Sequence, residues 1–577
     1  MSAEPAPQTS RFAALAAALG DVAERSGRHD KADRLAALFE TLSDDDLRRA
    51  ARWAAGRVFP LSDQRTVQVG GAALLRATAA AGGADDDDLR AALVRLGDPG
   101  DMAAGALEAF VPPVDSGLTM EEAEAFFEQV AETRGSTART ELVAGMLARV
   151  TPAEARFLVK LLAGELRIGM GEGGVEGAIA RRHGLTVGAV QRANMLTGDA
   201  GETAVLARHG RLGEAHLRLF HPIKFMLATA AEATDDRTLA EEVARQIAPP
   251  VAVEDKFDGI RAQAHVAADP GDDDLHGVSE DGARVALFSR TLDAIQPAFP
   301  DLVGPLAALA DASPDGVILD GEIVPLGADG AIAPFQSLQK RLGRKKASPE
   351  LQAEVPVAFV VYDVLAVDGE PTLDLAYADR QRILDRFAWT EPLHRSTVTE
   401  VADLDTLDAL FDAARQRGNE GLMVKATGSP YRPGRRGRDW LKIKKALATL
   451  DVVVTTVERG HGGRRKLLSD FTFAVRASET DGTLLNVGKA YSGLTDAELA
   501  TLTEWFEAHT LQTFAHGKVR TVEPEIVVEV AFDNVQVSKR HKSGYALRFP
   551  RIVRLREDKP VAEIDTLATV AALAGDG

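Results

Sequence analysis

The chain has 577 residues, of which 45% are hydrophobic and 27% charged, with a net charge of −19. That length suggests about three or four domains with enough apolar content for large cores, and the acidic balance excludes a uniformly basic nucleic-acid coat while leaving room for a basic stripe on an acidic body. Cysteine is absent, which excludes disulfides, thiolate zinc sites, iron–sulfur clusters and a cysteine nucleophile, and fits a reducing compartment.

The opening Met1-Ser-Ala-Glu-Pro-Ala-Pro-Gln-Thr-Ser10 has neither a basic nor an apolar leader region, so it reads as a short disordered tail rather than a signal peptide. No stretch reaches the ~20 apolar residues of a membrane span, and a cytoplasmic protein is expected. Residues from about 11 to 219 read as helical, rich in Ala, Leu and Arg with apolar positions at three- and four-residue steps. Ser43-Asp-Asp-Asp-Leu-Arg-Arg49 is a helix start with a Ser cap and acids in the first turn. Thr151-Pro-Ala-Glu154 opens another, with proline at the first helical position. The acidic run Asp85 to Asp88 reads as a solvated loop and helix cap.

The texture changes near Phe220-His-Pro-Ile-Lys224. Beyond about residue 249 strands are expected: Val317-Ile-Leu319 and Ile323-Val-Pro325 around Asp320-Gly-Glu322, and the run from Val355 to Leu365, with helical stretches such as Asp379 to Phe387 between them. This predicts a mixed α+β domain ending near Lys445. From Asp451 the pattern is nearly all strand, with a hairpin signal at Asp481-Gly482 between Phe471–Arg476 and Thr483–Val487, and another strand over Ile526–Phe532. Some 130 residues of short strands suit a small β-barrel such as an OB-fold. The expected architecture is therefore multidomain: an all-α domain over 1–219, an α+β domain over 220–446 and a barrel over 447–577.

The segment with the clearest chemistry is Glu254-Asp-Lys256-Phe-Asp258-Gly259-Ile-Arg261, which follows a plausible strand. A lysine amine attacks only once nearby cations or desolvation lower its pKa. Gly259 lets the backbone bend or approach a ligand, and Arg261 supplies a fork of donors suited to phosphate or ribose. Downstream, in order, come Phe288-Ser-Arg290, Leu319-Asp-Gly-Glu322, Tyr362-Asp-Val-Leu365, Glu420-Gly-Leu-Met-Val-Lys425, Tyr431-Arg-Pro-Gly-Arg-Arg436, Trp440-Leu-Lys442-Ile-Lys444, and Ser543-Gly-Tyr-Ala-Leu-Arg548-Phe-Pro-Arg551-Ile-Val-Arg554-Leu-Arg556-Glu-Asp-Lys559.

This ordered set resembles the covalent nucleotidyltransferase superfamily, specifically ATP-dependent DNA ligases, over nearly the whole chain. Phe157-Leu-Val-Lys-Leu-Leu-Ala-Gly-Glu165-Leu-Arg167-Ile-Gly169 is similar to the helical DNA-binding domain ahead of the catalytic core in larger members. The resemblance implies that Lys256 attacks the α-phosphate of ATP to form a Lys–AMP phosphoramidate, in a reaction dominated by positioning and charge stabilisation. It implies that Glu254 and Arg261 contact adenine and ribose, that Arg290 holds phosphate or ribose, and that Glu322 and Glu420 hold Mg²⁺ (or Mn²⁺) or bond the nucleotide. Asp258, beside the nucleophile, and Lys425 are further candidates. Tyr362 stands where the family usually has a phenylalanine stacked on adenine; its face still stacks, and its hydroxyl needs a partner or water. Arg436, Lys442 and Lys444 cluster on one segment, with Lys442 expected to reach the α-phosphate and lower the pKa of Lys256.

The basic residues are concentrated as a phosphate-tracking surface requires: residues 539–559 hold eight Lys or Arg against two acids, and 425–445 hold eight against one. In the family the terminal basic motif swings over the nucleotide and orients the departing pyrophosphate, which makes Arg551 and Lys559 candidate ATP contacts. Arg464-Arg-Lys466, after Gly460-His-Gly-Gly463, is either a DNA-backbone grip or a flexible loop. Gly488-Lys489-Ala-Tyr-Ser-Gly493 reads as a structural barrel element, with Lys489 a possible phosphate contact.

The implied substrates are ATP and nicked duplex DNA, with a monomer, no membrane, and unspecified clamp or repair partners. RNA ligases and mRNA-capping guanylyltransferases share the lysine chemistry, but a capping enzyme does not need about 200 helical residues ahead of its core. NAD-dependent ligases carry a cysteine zinc finger. A catalytically dead DNA-binding scaffold conflicts with the intact Lys256, Glu322, Glu420 and Lys442. The high Ala, Arg and Asp content hints at a GC-rich, prokaryotic genome, and hence a nucleoid location.

Overall fold

A computed structural model describes residues 10–110, 116–232, 237–272, 275–342, 346–444, 448–460 and 464–575. The N-terminal tail, Lys445 and the His461–Gly463 part of the glycine loop, all singled out above, lie outside the described residues.

Helices fill the region from Phe12 to Arg208, as its periodicity predicts. Their ends follow local chemistry. Ser43 accepts the Asp46 N–H at the start of the helix Asp44–Ala54. Thr151 and Glu154 form a reciprocal capping box on Pro152–Ala163, which ends on the left-handed Gly164. Asp85 accepts the Asp87 N–H and caps Asp86–Leu96, so the acidic run is a cap and first turn.

The chain divides into two compact units: Met1–Val67, Leu118–Glu132 and Ile168–Lys445 form one, and Gln68–Gly117, Thr133–Arg167 and Ala446–Gly577 the other. Helices thus contribute to both. In the first unit Trp53 packs between Phe12 and Phe127, with ring centroids 5.8 and 5.5 Å away. The buried Arg52 there forks onto Asp199 at 3.0 and 2.7 Å. In the second, Lys160 lies buried against Asp98 at 2.5 Å.

The remainder of the first unit carries two sheets. In chain order its strands are β1 (Leu227–Ala230), β2 (Val251–Lys256), β3 (Ile260–Ala268), β4 (Val278–Glu280), β5 (Ala283–Ser289), β6 (Val317–Pro325), β7 (Val357–Val367), β8 (Glu370–Pro371), β9 (Leu393–Arg395), β10 (Thr399–Val401), β11 (Gly421–Ala426) and β12 (Arg436–Lys444). One sheet runs β1-β12-β11-β2-β10; the other runs β4-β5-β3-β6-β7-β8, with β9 beside β7. Val, Ile, Leu and Phe from β3, β5, β6 and β7 pack on Leu302, Leu306 and Leu384 in the larger core, where each fully buried large side chain contributes about 1.5–3 kcal/mol. The helix expected at Asp379–Phe387 is found at Tyr377–Leu384.

In the second unit the strands are β13 (Ala448–Arg459), β14 (Leu468–Arg476), β15 (Leu484–Ala490), β16 (Thr510–Phe514), β17 (Val519–Val522), β18 (Val527–Phe532), β19 (Asn534–Val537), β20 (Tyr545–Arg548) and β21 (Arg551–Leu555). β13 is the hub, pairing with β14, β17 and β18, while β19 and β20 form a separate pair. Pairing among the described residues does not close into a ring. The expectation of almost pure strand needs correction. Asp496–Ala508 is a thirteen-residue helix, started by a Thr495/Glu498 capping box that was readable in the sequence. A second helix, Leu567–Gly575, follows the last strand.

Candidate active site

Side chains alternate along a strand, so Glu254 and Lys256 project from the same face of β2. The register extends each into a row across three strands. Glu254 lies opposite Met423 of β11, which lies opposite Lys442 of β12; Lys256 lies opposite Gly421, which lies opposite Lys444. The middle of the second row must be glycine: Gly421 has φ +154°, and a Cβ there would sit 2.2 Å from the Ile443 carbonyl oxygen. Just ahead of it, Glu420 donates its N–H to the Lys256 carbonyl at 2.8 Å. Its carboxylate is bridged by the ammonium groups of Lys256 and Lys444.

The second sheet supplies the facing wall. Arg261 of β3 stands opposite Glu322 of β6. Gly259 precedes β3 because β6 passes too close for a side chain; a Cβ would lie 2.3 Å from the Ile323 carbonyl oxygen and 2.9 Å from Glu322 Cγ. The two walls flank a solvent-open cleft of about 210 Å³ lined by Glu254, Lys256, Arg261, Arg290, Glu322, Tyr362, Lys425, Arg436, Lys442 and Lys444. Ten residues chosen from separate strings of the sequence thus come together. Glu420 joins them through its two lysines. Asp258 is exposed outside the lining. Arg551 and Lys559 belong to the second unit, where Arg551 is exposed on β21 and Lys559 pairs with Asp451 at 2.6 Å.

Burial in the cleft works toward an uncharged amine, against the ion pair with Glu420. Burial pushes the Lys256 pKa down, aided by the positive charges of Arg261 and Arg290 and opposed by Glu322 and Asp258. Burial also pushes Glu322 up to about 7, against the pull of Lys256 and Arg261. Both shifts move the facing pair toward neutrality, the state a nucleophilic lysine needs.

Arg261 is committed more deeply than its sequence position suggests. Its guanidinium forks onto the buried Asp320 at 3.0 and 2.7 Å, donates to the Met226 carbonyl at 2.7 Å, and lies over the Phe225 ring at 4.7 Å. Asp320 also accepts the Tyr431 hydroxyl at 2.7 Å. Burial and the Asp320 charge raise the Tyr431 pKa well above its usual value, so its hydroxyl stays a donor.

Lys425, 1% exposed, pairs with Glu254 at 2.8 Å. Its ammonium lies 4.3, 4.7 and 4.9 Å from the ring centres of Trp440, Tyr377 and Tyr362. Such desolvated cation–π contacts are worth about 2 kcal/mol. Glu254 accepts two further hydrogen bonds, from the Tyr377 hydroxyl and from Ser396 Oγ at 3.1 Å. Tyr377, Ser396, Asp320 and Tyr431 were not foreseen as site residues. Asp320 sits in a motif already singled out; Tyr377 and Ser396 fall in segments without a distinctive pattern.

Among the described residues no three His, Asp or Glu side chains cluster as a preformed cage. Glu322, which lines the cleft, and Glu420, beside it, are carboxylates that could hold Mg²⁺ or Mn²⁺, ions that take one or two carboxylates with phosphate oxygens and waters.

An amine whose pKa is lowered by burial, in a cleft lined with Lys and Arg side chains and walled by two mainly antiparallel sheets, has the makings of a lysine-dependent nucleotidyltransferase. The family model described as "ATP dependent DNA ligase domain" matches residues 226–444, "DNA ligase N terminus" matches 11–180, and "ATP dependent DNA ligase C terminal region" matches 464–559. A protein of Koribacter versatilis named "Probable DNA ligase" is 45% identical over 95% of this chain and 93% of its own length. Another "Probable DNA ligase", from Opitutus terrae, is 39% identical; its match covers all of this chain, which spans 64% of that longer protein. A solved structure named "Pmar-Lig_Pre." matches 94% of this chain and 99% of its own with a TM-score of 0.59, and at 16% identity it shares the fold. The chain belongs to the ATP-dependent DNA ligase family, whose members use ATP and a divalent metal and form a lysine-bound AMP.

Proposed function

We propose that this chain seals nicks in duplex DNA with Lys256 as the residue that carries AMP. The observation behind the assignment is the half-buried Lys256 amine, of lowered pKa, which shares with Glu322 a cleft whose other polar residues are mostly cationic. In the first step Lys256 Nζ bonds to the α-phosphorus of ATP, the bond from that phosphorus to the bridging oxygen breaks, and pyrophosphate leaves. AMP then passes to a 5′-phosphate at the nick, and a 3′-hydroxyl attacks that phosphate and expels AMP. Tyr362 stacks on adenine and Glu254 bonds its edge. Arg261, held by Asp320, shapes the ribose side, while Arg290, Arg436 and Lys442 stabilise phosphate charge. Glu322 and Glu420 would hold Mg²⁺ or Mn²⁺, which when bound neutralises phosphate oxygens. Lys444 shares Glu420 with the nucleophile, so exchange of these ion pairs accompanies nucleotide entry.

The finer architecture belongs to the same reading: a helical DNA-binding domain over 1–219, an adenylation domain over 220–446 and an OB-fold over 447–577. Supporting these boundaries, the last long helix of the helical region ends at Arg208, β1 begins at Leu227, and β12 ends at Lys444. Supporting a barrel, β13 pairs with three strands. Arg551 and Lys559 contact ATP in the first step, Lys559 exchanging Asp451 for phosphate. The protein works as a monomer in the cytoplasm, nucleoid-associated if its source is prokaryotic. None of the helices in the described residues is long and apolar enough to cross a membrane.

The test is incubation with α-labelled ATP and Mg²⁺, followed by peptide mass spectrometry and a nicked-duplex sealing assay. Adenylyl adduct at Lys256, its absence in Lys256→Ala, and sealing of DNA strands with ATP are expected. Label from GTP alone points to capping, and no adduct at Lys256 overturns the assignment.

A further inference from the structure

We infer that Tyr377 is a positioning residue that makes the cleft selective for adenine over guanine by occupying one oxygen of Glu254. The inference rests on the reading above, in which Glu254 bonds the base edge, and adds to it how that edge is chosen.

Glu254 is 3% exposed yet lines the cleft. An ionised carboxylate offers about four acceptor positions, two on each oxygen. Oε1 accepts the Tyr377 hydroxyl and the Lys425 ammonium. Oε2 accepts Ser396 Oγ. Both places on Oε1 are therefore taken, and a single place remains on Oε2. The three donors come from buried side chains: Tyr377 and Lys425 are each 1% exposed and Ser396 3%. Burial and the neighbouring Glu254 charge hold the Tyr377 pKa well above its usual value, so its hydroxyl remains a donor.

A single open acceptor suits a lone donor group flanked by acceptors, as adenine's 6-amino group is between N1 and N7. Guanine presents N1–H and the 2-amino group side by side, a two-donor edge that a carboxylate meets through both oxygens, so with one place open one of those donors is left unpaired. If guanine instead turns its 6-oxo group toward Glu254, acceptor meets acceptor. The stacking ring, Tyr362, does not distinguish the two purines. Selectivity therefore falls to the occupancy of Glu254, and through it to Tyr377. Ser396 acts differently: removing its hydroxyl frees a position only on the oxygen that is already open.

The experiment measures adenylylation and guanylylation of the full-length protein with α-labelled ATP and GTP, as kcat/KM, in wild type, Tyr377→Phe and Ser396→Ala. The ATP-to-GTP ratio is taken within one preparation, so it does not vary with the fraction folded. Expected is a fall of about tenfold in the ratio for Tyr377→Phe, the equivalent of one hydrogen bond to a charged group, carried mainly by KM for GTP. Ser396→Ala is expected to keep the wild-type ratio. An unchanged ratio in Tyr377→Phe, or an equal fall in both variants, overturns the inference. Wild type supplies a check that needs no variant: purine riboside triphosphate, which lacks the 6-amino group, is expected to label about tenfold less efficiently than ATP, and equal labelling overturns the inference. Failure of the underlying reading is told apart in wild type alone: no label from any nucleotide removes the nucleotide site, and equal labelling by purine riboside triphosphate removes the Glu254 bond to the base, whereas an unchanged ratio in Tyr377→Phe with those two intact overturns the role of Tyr377 itself.

Discussion

Replacing Glu322 by glutamine tests whether the cleft holds a charge against its own stability. The glutamate titrates near 4.5 in an unfolded chain and at about 7 in the fold, because burial disfavours its charged form more than Lys256 and Arg261 favour it. Between those values the folded state holds the proton more tightly than the unfolded state, so stability is greatest below the lower value and declines as pH rises through the interval. Above about pH 7 the loss is complete. A carboxyl displaced that far costs about 3 kcal/mol when ionised, and contact with cleft water reduces this to about 2 kcal/mol. Glutamine carries no charge and escapes the cost. Glu322→Gln should therefore stabilise the nucleotide-free protein by about 2 kcal/mol more at pH 8 than at pH 5, while adenylate formation at pH 8 falls about a hundredfold. Urea unfolding followed by tryptophan fluorescence reads the stability, since Trp53, Trp389 and Trp440 all lie in the unit that contains the cleft. Equal effects at the two pH values, or destabilisation at pH 8, would refute the electrostatic account.

Three other outcomes follow from the same geometry. Lys425→Met leaves Glu254 buried without its cation and should cost about 3–5 kcal/mol; a loss below about 1 kcal/mol in chemical denaturation means that the pair is solvated. Tyr362→Phe should keep KM for ATP within about twofold and Tyr362→Ala should raise it about tenfold or more, and equal KM values in single-turnover adenylylation would remove the ring from the nucleotide site. The rate of Lys256 adenylylation should rise with pH and level off below the usual lysine range near 10.5, because burial lowers its pKa; a rise that continues past that value contradicts the lowering.

How much was legible depended on whether a residue's role is local or set by register. Lys256 and Glu254 were readable because they share one short string that resembles the family's, whereas Gly259, read as a bend or an approach to a ligand, is required by the close passage of β6. Glu322, Tyr362, Lys442 and Lys444 were readable because each lies in a short recognisable string, and the sheets bring those strings to one cleft. The donors on Glu254 were not readable. Tyr377 lies 123 residues from it and Ser396 142, and neither sits in a string whose spacing announces a partner. Arg261 was recognised as a cleft residue, but its fork onto Asp320 emerges only once β3 and β6 are paired. The helix Asp496–Ala508 was missed for another reason: its capping box lies inside a region whose strands dominate the pattern.

Asp320 has a mechanical consequence beyond its bonds. It belongs to the larger sheet, while Tyr431, which donates to it, lies in the connection between two strands of the smaller one. One carboxylate thus rivets the two halves of the nucleotide mould together. Parting the two sheets there would strand a buried carboxylate without one of its donors, which resists opening at the base.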